Sequence, residues 1–144
     1  MSSPTRTGGG VVSLYSGTLT TAGTVTGGTV SGVGGALLAA VQAKFTYGSG
    51  GTNAKAYLQT SLDSGTSWVD VACFAFTTSS ATRIFRVGMG PGTGTALLTP
   101  TDGTLTDDTQ VNGVFGDQFR VKLISTGTYA GNTTLAVTAS IKST

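Results

Sequence analysis

Phe119, Val121 and Leu123 alternate with Arg120 and Lys122, and Leu135, Val137, Ala139 and Ile141 alternate with Thr134, Ala136, Thr138, Ser140 and Lys142. A period of two puts successive side chains on opposite faces of an extended chain, so each run reads as a strand with one face in a core and one toward solvent. The segment between them, Thr126-Gly127-Thr128-Tyr129-Ala130-Gly131-Asn132, carries turn residues and predicts a hairpin joining the two strands.

The remaining chain follows the same scheme. Val41, Ala43, Phe45 and Tyr47 alternate with Gln42 and Lys44 and predict a strand, with a short helix over Ala36 to Gln42 as the competing reading. Gly48 to Gly51 is rich enough in glycine to be a mobile loop. Ala54 to Ser61 and Ser67 to Phe76 form a second predicted hairpin, and Thr82 to Val87 another strand. Pro91 inside Gly88 to Gly94 cannot extend a ladder, so that segment is expected to be a loop. Pro100 to Gly116 reads as a long irregular connection with room for one helical turn.

Residues 17 to 35 repeat Gly-Thr-Val with hardly a large side chain. Thr-Val alternation marks a structured edge strand with a flexible start rather than a wholly disordered arm. At 144 residues the chain is the size of one domain. The expected fold is all-β, a single antiparallel β-sandwich or jelly-roll-like domain. A Gly/Thr-rich N-terminal arm and first strand would occupy residues 1–16, and the β-sandwich residues 17–144.

Composition narrows the chemistry. There is no His and no Glu, and the acids are six Asp. Without imidazole there is no Ser-His-Asp or Cys-His base and no His metal ligand, so an enzyme is not expected. A lone cysteine, Cys73, lies in an apolar strand and reads as a small buried hydrophobe. The N-terminus lacks an apolar signal core, and Ala36 to Ala43 is too short to span a bilayer, so synthesis in the cytoplasm without a membrane partner is expected.

One local motif is specific. Ser61-Leu62-Asp63-Ser64-Gly65-Thr66-Ser67-Trp68 resembles the Asp-box of sialidases and other propeller proteins, with Ser67 where Thr is usual. The turn logic is that Asp63 accepts from turn amides beside Ser61, Gly65 takes a positive φ, and Trp68 covers the turn. These four residues form a structural hairpin turn. A single box in a chain without a repeat cannot build a propeller.

Other constellations carry weaker signals. Asp102, Asp107 and Asp108 are oxygen ligands in a loop, but their spacing matches no EF-hand and reads as turn chemistry. Gly88 to Gly94 lacks the Gly-Lys-Ser/Thr ending of a phosphate loop. Arg83, Phe85 and Arg86, with Arg120 and Lys122, pair cations with an aromatic as single-strand binders do, yet a net charge of +2 favours solvated faces and no nucleic-acid partner. No catalytic, cofactor-binding or metal residues are expected, and no cofactor.

Charge supplies the strongest functional argument. Lys, Arg and Asp make up 10% of the chain, while Gly, Thr and Ser make up nearly half. A globule of this mass carries one charge per roughly 500 Å² of surface. Such a skin is easily desolvated, and its short side chains lose little entropy when held, which favours packing against other subunits.

The run from Lys55 to Phe76 (Lys-Ala-Tyr-Leu-Gln-Thr-Ser-Leu-Asp-Ser-Gly-Thr-Ser-Trp-Val-Asp-Val-Ala-Cys-Phe-Ala-Phe), with Pro100-Thr-Asp-Gly-Thr-Leu and the closing Gly116 to Leu135, resembles small accessory virion proteins of tailed bacteriophages. The similarity covers roughly residues 54 to 142. It implies a structural role, a capsid decoration or cement protein on the head exterior. Its partners would be the major capsid protein and copies of itself, with a trimer favoured. The alternatives are another tail or neck component, or a fibre or spike domain binding host carbohydrate through Tyr47, Trp68 or Tyr129 beside Asn53 or Asn132.

Overall fold

The computed structural model describes residues 10–32, 38–88, 97–111 and 113–142. Residues 1–9 of the expected arm, the first two positions of the competing helix, and residues 89–94 of the expected Pro91 loop lie outside them. The described residues form eleven strands and no helix. These are β1 (Gly10–Thr18), β2 (Gly23–Thr26), β3 (Val30–Ser31), β4 (Leu38–Thr46), β5 (Ser49–Gly50), β6 (Asn53–Ser61), β7 (Val69–Phe76), β8 (Ala81–Gly88), β9 (Gln118–Thr126), β10 (Tyr129–Ala130) and β11 (Thr134–Lys142). All pairings are antiparallel.

Three sheets result. One has the order β1-β11-β4-β8, a second the order β2-β9-β6-β7 with β3 also on β9, and a small third joins β10 to β5. The first strand runs through residue 16 to Thr18 and pairs with the last, Gly10 opposite Ile141 and Thr18 opposite Thr134. Residues 23–26 and 30–31 form an interrupted edge along β9, with the Gly27 amide donating to the Val121 carbonyl between them.

Two expectations of local structure are corrected. β9 and β11 are not a hairpin: they lie in different sheets, and the segment between them crosses from one to the other. Their apolar faces, Phe119, Val121 and Leu123 on one and Leu135, Val137, Ala139 and Ile141 on the other, belong to a single core cluster. The alternation fixes which face is buried, but a strand can satisfy it by facing a common core from another sheet as well as by pairing with its neighbour. The crossing is held by Tyr129, which is buried and donates its hydroxyl to the Thr77 carbonyl at 2.7 Å.

The second correction concerns Gly48 to Gly51. Instead of a free loop it carries β5, with the Gly51 amide donating to the Thr128 carbonyl at 2.8 Å and the Gly48 amide to Thr133 Oγ1 at 2.9 Å. Across 38–42 the chain is strand, with Ala39 and Val41 fully buried, so the helical alternative fails where it is described. Within 100–116 there is no helix among the described residues; Thr109 Oγ1 closes a turn onto the Thr106 carbonyl.

β6 departs from half-burial. From Ala56 to Ser61 every residue is buried, including Tyr57, Gln59 and Ser61 on the face away from the core. The connection between β8 and β9 supplies the cover. Val111 donates to the Val71 carbonyl, Cys73 to the Thr109 carbonyl, and Asp70 to the Thr101 carbonyl, so the edge of β7 is bonded from Asp70 to Cys73, while Ala75 is met by the Asp108 and Arg83 side chains. Backbone bonded in this way is withdrawn from pairing with another chain.

Candidate functional site

The outer face of the second sheet concentrates the polar chemistry of the molecule. In register, Gln59 of β6 stands between Arg120 of β9 and Asp70 of β7. Gln59 Nε2 donates to Asp70 Oδ1 at 2.9 Å and to Asp102 Oδ1 at 2.6 Å, while Arg120 Nε donates to Gln59 Oε1 at 2.8 Å. Lys122 Nζ lies 3.0 Å from Asp102 Oδ1. The Gln59 hydrogen bond first, and then the Lys122 ammonium, hold the Asp102 carboxyl below the ordinary carboxylate range.

Asp70 is 4% exposed and its acceptor capacity is fully engaged. Besides Gln59 it accepts from Thr101 Oγ1 at 2.8 Å and from the amides of Gly103, Thr104 and Leu105 at 2.8 to 3.2 Å. Three successive amides aimed at one carboxylate make an anion nest whose ligand is the protein's own side chain. Asp70 thus pins the covering loop, and Asp102 is tied to Lys122.

Beside this network an apolar cleft of about 360 Å³ is lined chiefly by Leu62, Val69, Leu98, Pro100, Leu105 and Val111. Leu62 and Leu98 are 68% and 57% exposed, and Leu97, next in the chain, is 94% exposed. Leu62 and Leu98 thus keep apolar surface open beside the cleft.

Ser61, Asp63, Gly65 and Trp68 lie at and beside the tip of the β6–β7 hairpin. Asp63 Oδ1 accepts from Ser61 Oγ at 2.9 Å and from the Ser67 amide at 2.8 Å, and Oδ2 accepts from Ser67 Oγ at 2.6 Å. The Ser67 hydroxyl, followed by its amide, lowers the Asp63 carboxyl. Ser61 Oγ in turn accepts from the Gly65 amide at 2.7 Å, and Gly65 has φ +92°, a region costly to side chains other than glycine. Trp68 sets its ring under Arg120, whose guanidinium carbon is 4.4 Å from the ring centroid.

The other sequence candidates are dispersed. Asp102, Asp107 and Asp108 meet Lys122, Lys55 and Arg83 respectively, and among the described residues no cluster of metal-ligating side chains forms. Arg83 folds back over Phe76 and donates to the Ala75 carbonyl, Phe85 packs on Phe74, and Arg86 is on the opposite face of β8. Tyr129 is 1% exposed and Tyr47 turns its hydroxyl onto the Gly50 carbonyl, so both are committed to the aromatic cluster with Phe45. Cys73 is fully buried, and burial pushes its thiol up to about 11; burial likewise pushes its cross-strand neighbour Tyr57 up to about 12.

Asp70, Gln59 and the open leucines are absent from the sequence-based candidates. One signal was present: Asp70 is an acid inside an otherwise apolar run, and a buried carboxylate requires partners. Comparisons with protein-family models, with curated proteins and with solved structures found no match.

Proposed function

We propose that this chain is an accessory structural protein of a tailed-bacteriophage virion, decorating the exterior of the head by bridging major capsid subunits. In this reading the two larger sheets are the leaves of a β-sandwich whose shared core makes a rigid peg. The apolar cleft receives an apolar segment of a capsid subunit. The observation that carries the reading is the cleft with its exposed leucines, on a chain whose charged residues are only 10% of the total and whose Gly, Ser and Thr lose little entropy when immobilised.

The test is a titration of purified protein onto undecorated heads, followed by sedimentation and quantification of the bound fraction. Saturable binding at a fixed ratio to the major capsid protein is expected, with Leu62→Asp and Leu98→Asp each weakening it at least about tenfold. Binding that never saturates, or that ignores both substitutions, overturns the assignment.

A further inference from the structure

The charges of the described residues are sorted by face. The outer face of the first sheet carries Lys44, Arg86 and Lys142, all exposed, and no acid. Every Asp lies instead on the second sheet, its hairpin or the connection that covers it. Lys55, Lys122 and Arg83 are engaged by Asp107, Asp102 and Asp108, and Asp70 is buried among amides. Two exposed acids, Asp63 and Asp117, have no cation within ion-pair distance among the described residues.

Those two acids share one end of the molecule. Asp63 is in the β6–β7 turn, and Asp117 lies between Gly116 and Gln118, both held to the base of that hairpin. The Gly116 amide donates to Thr60 Oγ1 at 2.9 Å, and Thr60 Oγ1 donates to the Gln118 carbonyl at 2.9 Å. Leu62 projects beside them, 68% exposed. On the cationic face Ile84 is 62% and Leu38 41% exposed, between and beside the three cations. Each patch thus combines charge of one sign, without an ion-pair partner among the described residues, with open aliphatic surface, and the signs are opposite.

We propose that the outer face of the first sheet docks onto the β6–β7 hairpin end of a second copy of this chain. Arg86 and Lys44, on neighbouring strands and about 13 Å apart along them, are the cations that meet Asp117 and Asp63. The face has no aromatic side chain on which bases could stack, which argues against a single-stranded nucleic acid as the occupant. Because the two patches differ, the contact is head-to-tail and either closes into a ring or propagates. This deepens the self-assembly part of the reading above and does not depend on binding to a capsid.

The test is sedimentation velocity on the full chain and on Arg86→Glu, Asp117→Lys and the double variant, at about 0.1 M and about 1 M salt. Circular dichroism and thermal melting verify that each exposed substitution leaves the fold intact. The wild type is expected to self-associate and to weaken in high salt. Each single reversal is expected to raise the dissociation constant at least about tenfold, and the double reversal to recover most of that loss. A monomeric wild type, single variants that assemble as before, or a double variant that does not recover overturns the proposal. A monomer retained on a polyanion or on an acidic protein through Arg86 also overturns it. A self-associating chain that ignores undecorated heads would instead sustain this contact and sink the capsid assignment.

Discussion

The amide of Gly103 stands 2.9 and 2.8 Å from the two carboxylate oxygens of Asp70, thirty-three residues away in the chain. That contact, repeated by Thr104 and Leu105, fastens an irregular connection to the outside of a strand.

Asp70→Asn preserves size but turns an NH₂ donor or a weaker carbonyl toward three amide donors and Thr101. Removing charge-assisted bonds at a buried position is expected to cost about 2–4 kcal/mol. Urea unfolding measures the loss. Amide hydrogen exchange at 103–105 is expected to accelerate beyond the global effect.

Acid sensitivity follows from Asp102 and Asp63. Both carboxyls are held below the usual range in the folded protein, Asp102 mainly by Gln59 and Asp63 mainly by Ser67. A group with a depressed folded pKa contributes stability above its unfolded pKa of about 3.9, and that contribution disappears as pH falls through the folded value. The urea midpoint is expected to hold from neutrality down to about pH 5 and to decline below about pH 4. Asp102→Asn should flatten part of that decline, leaving the share due to Asp63.

Cys73 is fully buried, with a thiol pushed up to about 11. Only the thiolate reacts rapidly with disulfide reagents, and burial denies access as well. In native buffer near pH 8, labelling is expected to be at least about a hundredfold slower than in denaturant. Native labelling at the free-thiol rate would contradict the covering role of the 101–111 segment.

Gly116 is where two backbones touch: a Cβ there would overlap the Ser61 carbonyl. The carbonyl belongs to a buried strand end that cannot retreat without disturbing Thr60. Gly116→Ala is expected to destabilise by about 2 kcal/mol or more. Gly28→Ala, with nothing within 4 Å of the new methyl, serves as the control and should fall within about 0.5 kcal/mol of wild type by thermal melting.

How far the sequence discloses this molecule depends on the range of the signal. Strand identity and buried face were legible at Phe119 to Leu123 and Leu135 to Ile141, because period-two alternation is local. The Asp63 turn was legible for the same reason, since its bonds span two to four residues. Pairing was not: whether β9 meets β11 or β6 depends on closing the crossing segment around Tyr129, which leaves no periodic trace. Nor was the double-sided burial of Tyr57 and Gln59, because the cover is backbone from an aperiodic stretch fastened by a carboxylate more than thirty residues upstream.

The pairing of β1 with β11 gives the molecule a direction in which it yields. Gly10 faces Ile141 and Thr18 faces Thr134, so a load hung between residues 10 and 142 tugs crosswise on the ladder and opens it one rung at a time. The same load between residues 18 and 142 runs lengthwise and strains all the rungs together. Tethered at the shared end of β1 and β11 the domain peels; gripped at opposite ends of the same pair it holds.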